Sequence, residues 1–521
     1  MSERDQEHES NATGPSAPEQ QRASRLEMDG RELGELSEAT LRLVEEYFAH
    51  LPELPVFPSA SGAALTERLS RELSEEGSSL EQILDDCRAI IAGSRHNGHP
   101  RFFGYVASPS TPVGAFADLL ASALNVNVTS WRSAPAATVL EKMVLGWLSK
   151  MIGYGEEGQE AHGLLTSGGS MANLNALLVA HRALSPEAEV ARRGLWSAGP
   201  PVTLYASEQV HMSIPKAADI LGLGRDQVRL VRTDERFRLD VRDLRAAVEA
   251  DTARGLRPFC VVASAGTVNT GAVDPLAEIA GLASSLGLWF HVDGAYGALG
   301  ALDESKRALF EGMERADSIS LDPHKWLYAP VDCGCLLFRD AAAARRAFLS
   351  SDADYIKVHE ETTAESFAFW DYGVELSRRF RALKVWMMLS YYGERRVRAA
   401  ISEDNELASY FAARVRESED FELLAPTELS ICCFRYVTRS VRERLGSSEG
   451  EERARLDAEL DRLNAAIMLT VQRGGRAYLS NVTLKGVYGL RACIVNFRTT
   501  RADIDQTLEI VRDAARTLGG N

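Results

Sequence analysis

No run in the 521 residues approaches the ~20 consecutive apolar side chains that a membrane-spanning helix needs, so a membrane protein is not expected. The opening stretch MSERDQEHESNATGPSAPEQQ has no apolar core of the kind a secretory leader carries, and a cytoplasmic location is the expectation. Basic residues are in the minority, 58 Lys and Arg against 74 Asp and Glu. The resulting formal charge of −16 argues against a polyanion such as nucleic acid as a partner. Cysteine is sparse and scattered: the seven residues Cys87, Cys260, Cys333, Cys335, Cys432, Cys433 and Cys493 form no C-x-x-C pair. Without a leader they are expected as small buried thiols rather than as disulfides. Cys333-Gly-Cys335, and His96 with His99 in HNGH, each lack further ligands at a spacing that closes a tetrahedral site, so no metal is expected.

What is present is an ordinary globular composition, 45% hydrophobic and 25% charged, on a chain too long for one compact core. Residues 1–30 are polar and rich in Glu, Ser and Gln, and read as a disordered tail. From 34 to 93 the pattern is helical, broken by the proline-rich LPELPVFPS. A Gly/Pro/aromatic segment, HPRFFGYVASPSTP, leads into a long helical run ending near Ile152, with Leu140, Val144, Trp147 and Met151 on one face. In the middle of the chain short apolar runs alternate with helical stretches: PVTLYAS (201–207), FCVVASAG (259–266), LWFHVD (288–293), SISLD (318–322) and CGCLLF (333–338). Strands this uniformly apolar predict a mainly parallel sheet covered on both faces, with ligands at the carboxyl ends of its strands. The last ~135 residues read as helix, strand and helix, a second and smaller α+β domain.

Four features fall in order on the middle region. LLTSGGSMANLNALL (164–178) places a glycine turn directly before a helix, with Ser167 and Ser170 beside it, and free backbone N–H groups at a helix start suit a phosphate. A plain N-cap is the bland alternative, and Gly-Gly-Ser-Met-Ala also approximates the G-x-S-x-G elbow of a serine hydrolase, with Ala172 where that motif has Gly. His211 follows a strand and offers a ring that could stack on a flat cofactor. Asp293 ends the apolar strand LWFHVD, where a carboxylate is costly unless it meets a cation or good donors; a pyridinium nitrogen is such a cation. Lys325, in SISLDPHKWLYAP, is a strongly hydrated charge set between an apolar strand and a Trp-Leu-Tyr run, where desolvation frees its amine to react with an aldehyde. Each has a structural explanation of its own; together they are the parts a pyridoxal-phosphate enzyme requires.

With HVDGAYG, DPHKWL, LSRRFRALKVW (376–386), HPRFFGY (99–105) and LRACIVNFRTT (490–500), the sequence resembles the group II pyridoxal-phosphate decarboxylases, which include the aromatic-L-amino-acid and histidine decarboxylases. The resemblance implies a fold-type I enzyme with a mainly parallel seven-stranded sheet in its large domain, and a cytoplasmic homodimer with active sites at the interface. It divides the chain into a dimer-wrapping helical segment (31–111), a large cofactor domain (112–383) and a small C-terminal α+β domain (384–521). It implies the Schiff-base role for Lys325, the ring-nitrogen partner for Asp293 and the stacking ring for His211. Gly169, Ser170, Asp322 and His324 correspond to positions around the phosphate, Thr267 and Asp274 to positions lining the cofactor pocket, and Tyr355, in SDADYIKVHEE, to the tyrosine of a mobile loop (350–366) that reprotonates the product. Three positions depart from the aromatic pattern: Asp322 for the usual Asn, Asn97 for Trp, and Ser377 for the frequent Gly. The ring lost at Asn97 and the hydroxyl gained at Ser377 both point to a more polar pocket, while Asp322 sets a carboxylate near the phosphate. The implied reaction is decarboxylation of an L-amino acid, aromatic in first place, to its amine, a carboxylic acid metabolic process. A histidine or other non-aromatic substrate, or oxidative deamination to an aldehyde, are the alternatives.

Overall fold

The computed structural model describes residues 26–519 apart from 74, 76, 156–161, 185–189, 191–192, 196–198 and 349–364. The expected tail therefore lies, up to residue 25, outside the described residues. The described residues form two compact units, one within 26–50 and 60–93, the other within 51–59 and 94–519.

The first unit is helical, with helices Gly30–His50, Gly62–Leu69 and Leu80–Ala92. Ser79 starts the last of these through a reciprocal capping box with Gln82, which satisfies two N–H groups the helix start would otherwise leave free. None of the three helices has a fully buried residue, and Leu33, Leu41, Ile83 and Ile90 remain exposed.

The second unit is built on a seven-stranded sheet of β1 (His162–Thr166), β2 (Val202–Ser207), β3 (Val228–Val231), β4 (Arg257–Ser264), β5 (Trp289–Asp293), β6 (Ser318–Leu321) and β7 (Gly334–Phe338). Its spatial order is β1-β7-β6-β5-β4-β2-β3. All neighbours pair in parallel except β7, which runs antiparallel to both β1 and β6. Every residue of β2, β5, β6 and β7 is buried, as a sheet covered on both faces demands. The helix Gly169–Leu184 packs across β4 to β7, and Leu276–Leu286 packs on β4 and β5.

A long helix, Arg381–Glu417, bends at Gly393 (φ 72°), where only glycine adopts the backbone without strain. Before the bend, Ala382, Val385 and Met388 join the core of the large sheet. Beyond it, Leu407, Phe411 and Val415 join a second core. That core covers a four-stranded antiparallel sheet of β8 (Phe421–Leu423), β9 (Ile431–Tyr436), β10 (Ser480–Leu484) and β11 (Val487–Cys493), in the order β10-β11-β9-β8. This is the smaller C-terminal domain. The charged segment that follows β9 forms two helices, Arg439–Ser447 and Gly450–Arg473, the second opening at Gly450 (φ 57°).

Candidate active site

Five strand ends converge on one cavity of about 550 Å³. β1 delivers Ser167, Gly168, Gly169 and Ser170; β2 leads to His211, β4 to Thr267, β5 ends in Asp293, and β6 leads to Asp322, His324 and Lys325. This is the crevice at the carboxyl ends of the strands where doubly wound sheets bind ligands.

The turn after β1 needs its glycines. Gly168 has φ 154°, and Gly334, at the start of β7, is so close that a Cβ on it would lie 2.5 Å from the Gly168 Cα. A Cβ on Gly169 would meet the Ala295 Cβ at 2.7 Å and Asp322 Oδ2 at 3.1 Å. The helix begins at Gly169, so its first N–H groups have no acceptor within the helix. Backbone, helix end and small residues thus make a concave anion cradle.

Asp293 is buried and held by three donors. Asn173 Nδ2 donates to Oδ2 at 2.9 Å, and Ser320 Oγ and the Ala295 N–H donate to Oδ1, each at 3.2 Å. His211 accepts the Ser213 N–H at Nδ1 (3.2 Å) and lies 2.8 Å from Ser213 Oγ, so its proton sits on Nε2. Burial lowers the His211 pKa and Lys325 lowers it further, while Asp293 and Asp322 oppose the shift; the ring is neutral at pH 7. Lys325 Nζ is 2.8 Å from Asp322 Oδ2, and His324 Nε2 is 3.7 Å from the same oxygen. Asp322 Oδ1 is buried without a hydrogen-bond partner among the described residues. The loop carrying Lys325 is anchored from below: Trp326 Nε1 and Tyr328 OH both donate to Asp404 Oδ2 at 2.8 Å, and Trp326 stacks on Tyr296 at 5.1 Å.

Of the expected site residues, Gly169, Ser170, His211, Thr267, Asp293, Asp322, His324 and Lys325 line the cavity. Asp274 does not. It lies behind the wall, accepting the Ser264 and Leu239 N–H groups at 2.8 Å, and so braces the end of β4. Tyr355 lies outside the described residues. Tyr105, the aromatic residue that ends HPRFFGY and that the sequence offers as pocket wall, lines the cavity; Asn173, Asn269, Ser480, Asn481 and Arg491 line it too and were not singled out in the sequence. Asn173 left one trace there, as one of two amides, with Asn175, in the apolar middle of its helix; Arg491 stands on β11, a strand too remote in sequence to connect with the site. Arg491 donates from Nη1 to the Tyr105 carbonyl at 2.8 Å, while its buried Nη2 has no hydrogen-bond partner among the described residues. The described residues contain no cluster of His, Cys, Asp and Glu fit for a metal.

These residues fit pyridoxal phosphate. The cradle suits a phosphate, the neutral His211 ring suits a flat face, the triply held Asp293 suits a protonated ring nitrogen, and Lys325 suits an aldehyde carbon.

Residues 63–437 match the family model described as the pyridoxal-dependent decarboxylase conserved domain. The chain is 34% identical, over 95% of its length and 97% of the relative's, to the aromatic-L-amino-acid decarboxylase of Bacillus atrophaeus. It is 35% identical to the cysteine sulfinic acid decarboxylase of Mus musculus, over 75% of this chain and 78% of that one. Among solved structures, Oryza sativa TDC with PLP and tryptamine superposes with a TM-score of 0.85 at 27% identity, covering 95% of this chain and 99% of that one.

Proposed function

The chain belongs to the pyridoxal-dependent decarboxylase family, and from that premise we propose that it converts an aromatic L-amino acid to its amine and carbon dioxide. The observation that carries the reading is the convergence of Asp293 and Lys325, from adjacent strands, on the cavity that also holds the Gly168–Ser170 cradle. When bound, pyridoxal phosphate supplies the electron sink that makes loss of the carboxylate feasible.

The remaining work falls to the chain. The Gly169 and Ser170 N–H groups, with His324, would hold the phosphate, and Lys325 would supply the amine for the aldehyde carbon. Asp293, fixed by Asn173, Ser320 and the Ala295 N–H, presents a carboxylate that keeps the ring nitrogen protonated. His211 presents a neutral ring with an Nε2 proton toward the cavity. Tyr355 returns a proton to the substrate Cα in this reading, and Thr267 borders the cofactor. Tyr105 supplies aromatic wall at the cavity and hydrogen-bonds Tyr478 at 3.2 Å. The test is a panel of L-amino acids offered to the purified holoenzyme, with amine and carbon dioxide measured. Turnover of tyrosine, tryptophan, DOPA or phenylalanine is expected; aldehyde, peroxide and ammonia in place of amine would reassign the reaction.

A second reading rests on Arg491. Its unpartnered Nη2 is suited to an acidic side chain, as the name of the mouse relative implies for that protein's substrate. Cysteine sulfinate and glutamate in the same panel separate the two readings.

We also take the active form to be a cytoplasmic homodimer. Phe116, Leu119, Leu120 and Leu124 expose one face of the helix Pro112–Leu124, and Val139 and Met143 are exposed on Pro135–Met151. Apolar surface of this kind favours burial against a second copy. The seven unpaired thiols accord with a reducing compartment. Leu120→Glu is expected to shift the particle from dimer to monomer in light scattering coupled to size exclusion.

A further inference from the structure

Asn173 is 1% exposed and sits between Asp293 and Ser213. Its Nδ2 donates to Asp293 Oδ2 and to Ser213 Oγ, both at 2.9 Å, which uses both amide protons. Ser213 Oγ, having accepted one of them, is left to donate its own proton to His211 Nδ1, 2.8 Å away. Asn173 Oδ1 lies 3.0 Å from His291 Nε2, which must therefore be the protonated nitrogen. His291 Nδ1 lies 2.9 Å from Ser318 Oγ, which itself accepts the Trp289 Nε1 proton at 2.9 Å and so donates to the imidazole. With the proton on Nε2, Trp289, Ser318 Oγ, His291 and Asn173 form one donor-to-acceptor series, while the Ser318 carbonyl, 3.2 Å from Nδ1, takes no proton from the imidazole. His291 is wholly buried and lies away from the cavity wall; burial keeps it neutral, with its pKa held down at about 4.

We propose that His291, acting through Asn173, is a positioning residue for Asp293: it locks the Asn173 amide so that its N–H groups, and not its oxygen, face Asp293 and Ser213. This rests on the reading of Asp293 as the partner of the cofactor ring nitrogen. The physical reason is that an amide is nearly symmetric in shape but opposite in charge at its two ends. Turned over, Asn173 would set its oxygen against the Asp293 carboxylate, two acceptors face to face in a buried site. The His291 proton on Asn173 Oδ1 prevents that turn. His211 is set by the same node through Ser213, so one buried histidine fixes the hydrogen bonding of both groups.

The experiment compares His291→Leu, His291→Gln, Asn173→Ala and the His291→Leu/Asn173→Ala double variant with the wild-type holoenzyme. The readouts are release of pyridoxal phosphate during dialysis, followed by visible absorbance, and kcat and KM on the amino acid that the panel shows to be turned over. His291→Leu and Asn173→Ala are each expected to speed release roughly tenfold and to lower kcat with little change in KM. His291→Gln, which can still donate to Asn173 Oδ1, is expected to remain within about threefold of wild type, and His291→Leu to add less than about twofold on the Asn173→Ala background. A merely structural histidine gives the other pattern: Gln as damaging as Leu, or single effects that multiply in the double variant. Either result overturns the proposal, as does unchanged release and kcat in His291→Leu. Should His291→Leu yield no soluble protein, Asn173→Ala decides, and wild-type release and kcat in it overturn the proposal. Asp293→Ala separates this from the underlying reading: if it keeps normal release and turnover, the role of Asp293 falls first.

Discussion

Lys325 and Asp322 form an ion pair in the cavity wall, and the two residues answer to different tests. Lys325→Ala is expected to abolish the visible absorbance of lysine-bound cofactor and essentially all turnover, because no other cavity-lining amine is present among the described residues. Asp322→Asn is expected to slow cofactor release in dialysis. Asp322 Oδ2 lies beside the phosphate cradle, 3.1 Å from where a Gly169 Cβ would sit, and removing a negative charge there relieves repulsion of a phosphate. Faster release in Asp322→Asn would show that the carboxylate's hold on Lys325 and His324 outweighs that repulsion. At this scale the sequence was legible where a residue type is costly in its setting. A lysine and an aspartate beside apolar strands stand out; Asn173, Ser213 and His291 do not, because an amide, a hydroxyl or an imidazole in a helix or strand has many harmless uses.

The elements that carry these residues depend on a buried pair that no sequence pattern announces. Arg378 and Glu141 are almost wholly buried and hydrogen-bonded to each other. Arg378 also donates to the carbonyls of Val128 and Leu165 at 2.7 Å, and Glu141 Oε1 accepts the Leu165 N–H at 2.9 Å. One salt bridge thereby fastens the helix Pro135–Met151, strand β1 and the segment before the long helix. Removing either partner leaves a buried charge alone, and Arg378→Ala is expected to cost about 3–5 kcal/mol in denaturant unfolding. Gly334→Ala tests the cradle from behind. The added methyl runs into the Gly168 backbone, which cannot give way as a side chain would, so a loss of about 1–3 kcal/mol and faster cofactor release are expected together. The apolar runs at 201–207, 259–266, 288–293, 318–322 and 333–338 correspond to β2, β4, β5, β6 and β7 within two residues at either end. A strand buried on both faces leaves a plain record in its composition. β1 and β3 went unread: β1 includes His162 and Gly163, and β3 has four residues, one of them Arg229. Nor does composition tell direction, so the reversal of β7 had no signal.

For the whole molecule, two buried carboxylates set a dependence of stability on pH. Burial raises Asp404 to about 7 and Asp274 to about 6, from an ordinary value of 3.8. Both then take up protons more readily when folded than when unfolded. Their contribution to stability is complete below pH 3.8 and is lost as pH rises through 6 and 7. Wild type is therefore expected to lose stability relative to Asp404→Asn between pH 4 and pH 8, measured as the difference in Tm between the two proteins. A gap that is flat with pH would mean that the donors Trp326, Tyr328 and Asn496 keep Asp404 ionised in spite of burial. The division into a large and a small domain was legible because strands and helices change rhythm along the chain. The single long helix that serves both cores was not, since its bend rests on one glycine.

The close packing of Gly334 on Gly168 also sets a clock on synthesis. Thr166 pairs with Gly334, so the phosphate cradle at the end of β1 has no back wall until β7 has left the ribosome. Every strand between them in sequence must emerge first, and pairing over such a span is slow. The nascent chain thus carries its anion-binding turn before it can close it, and cofactor capture is expected only once β7 has joined the sheet.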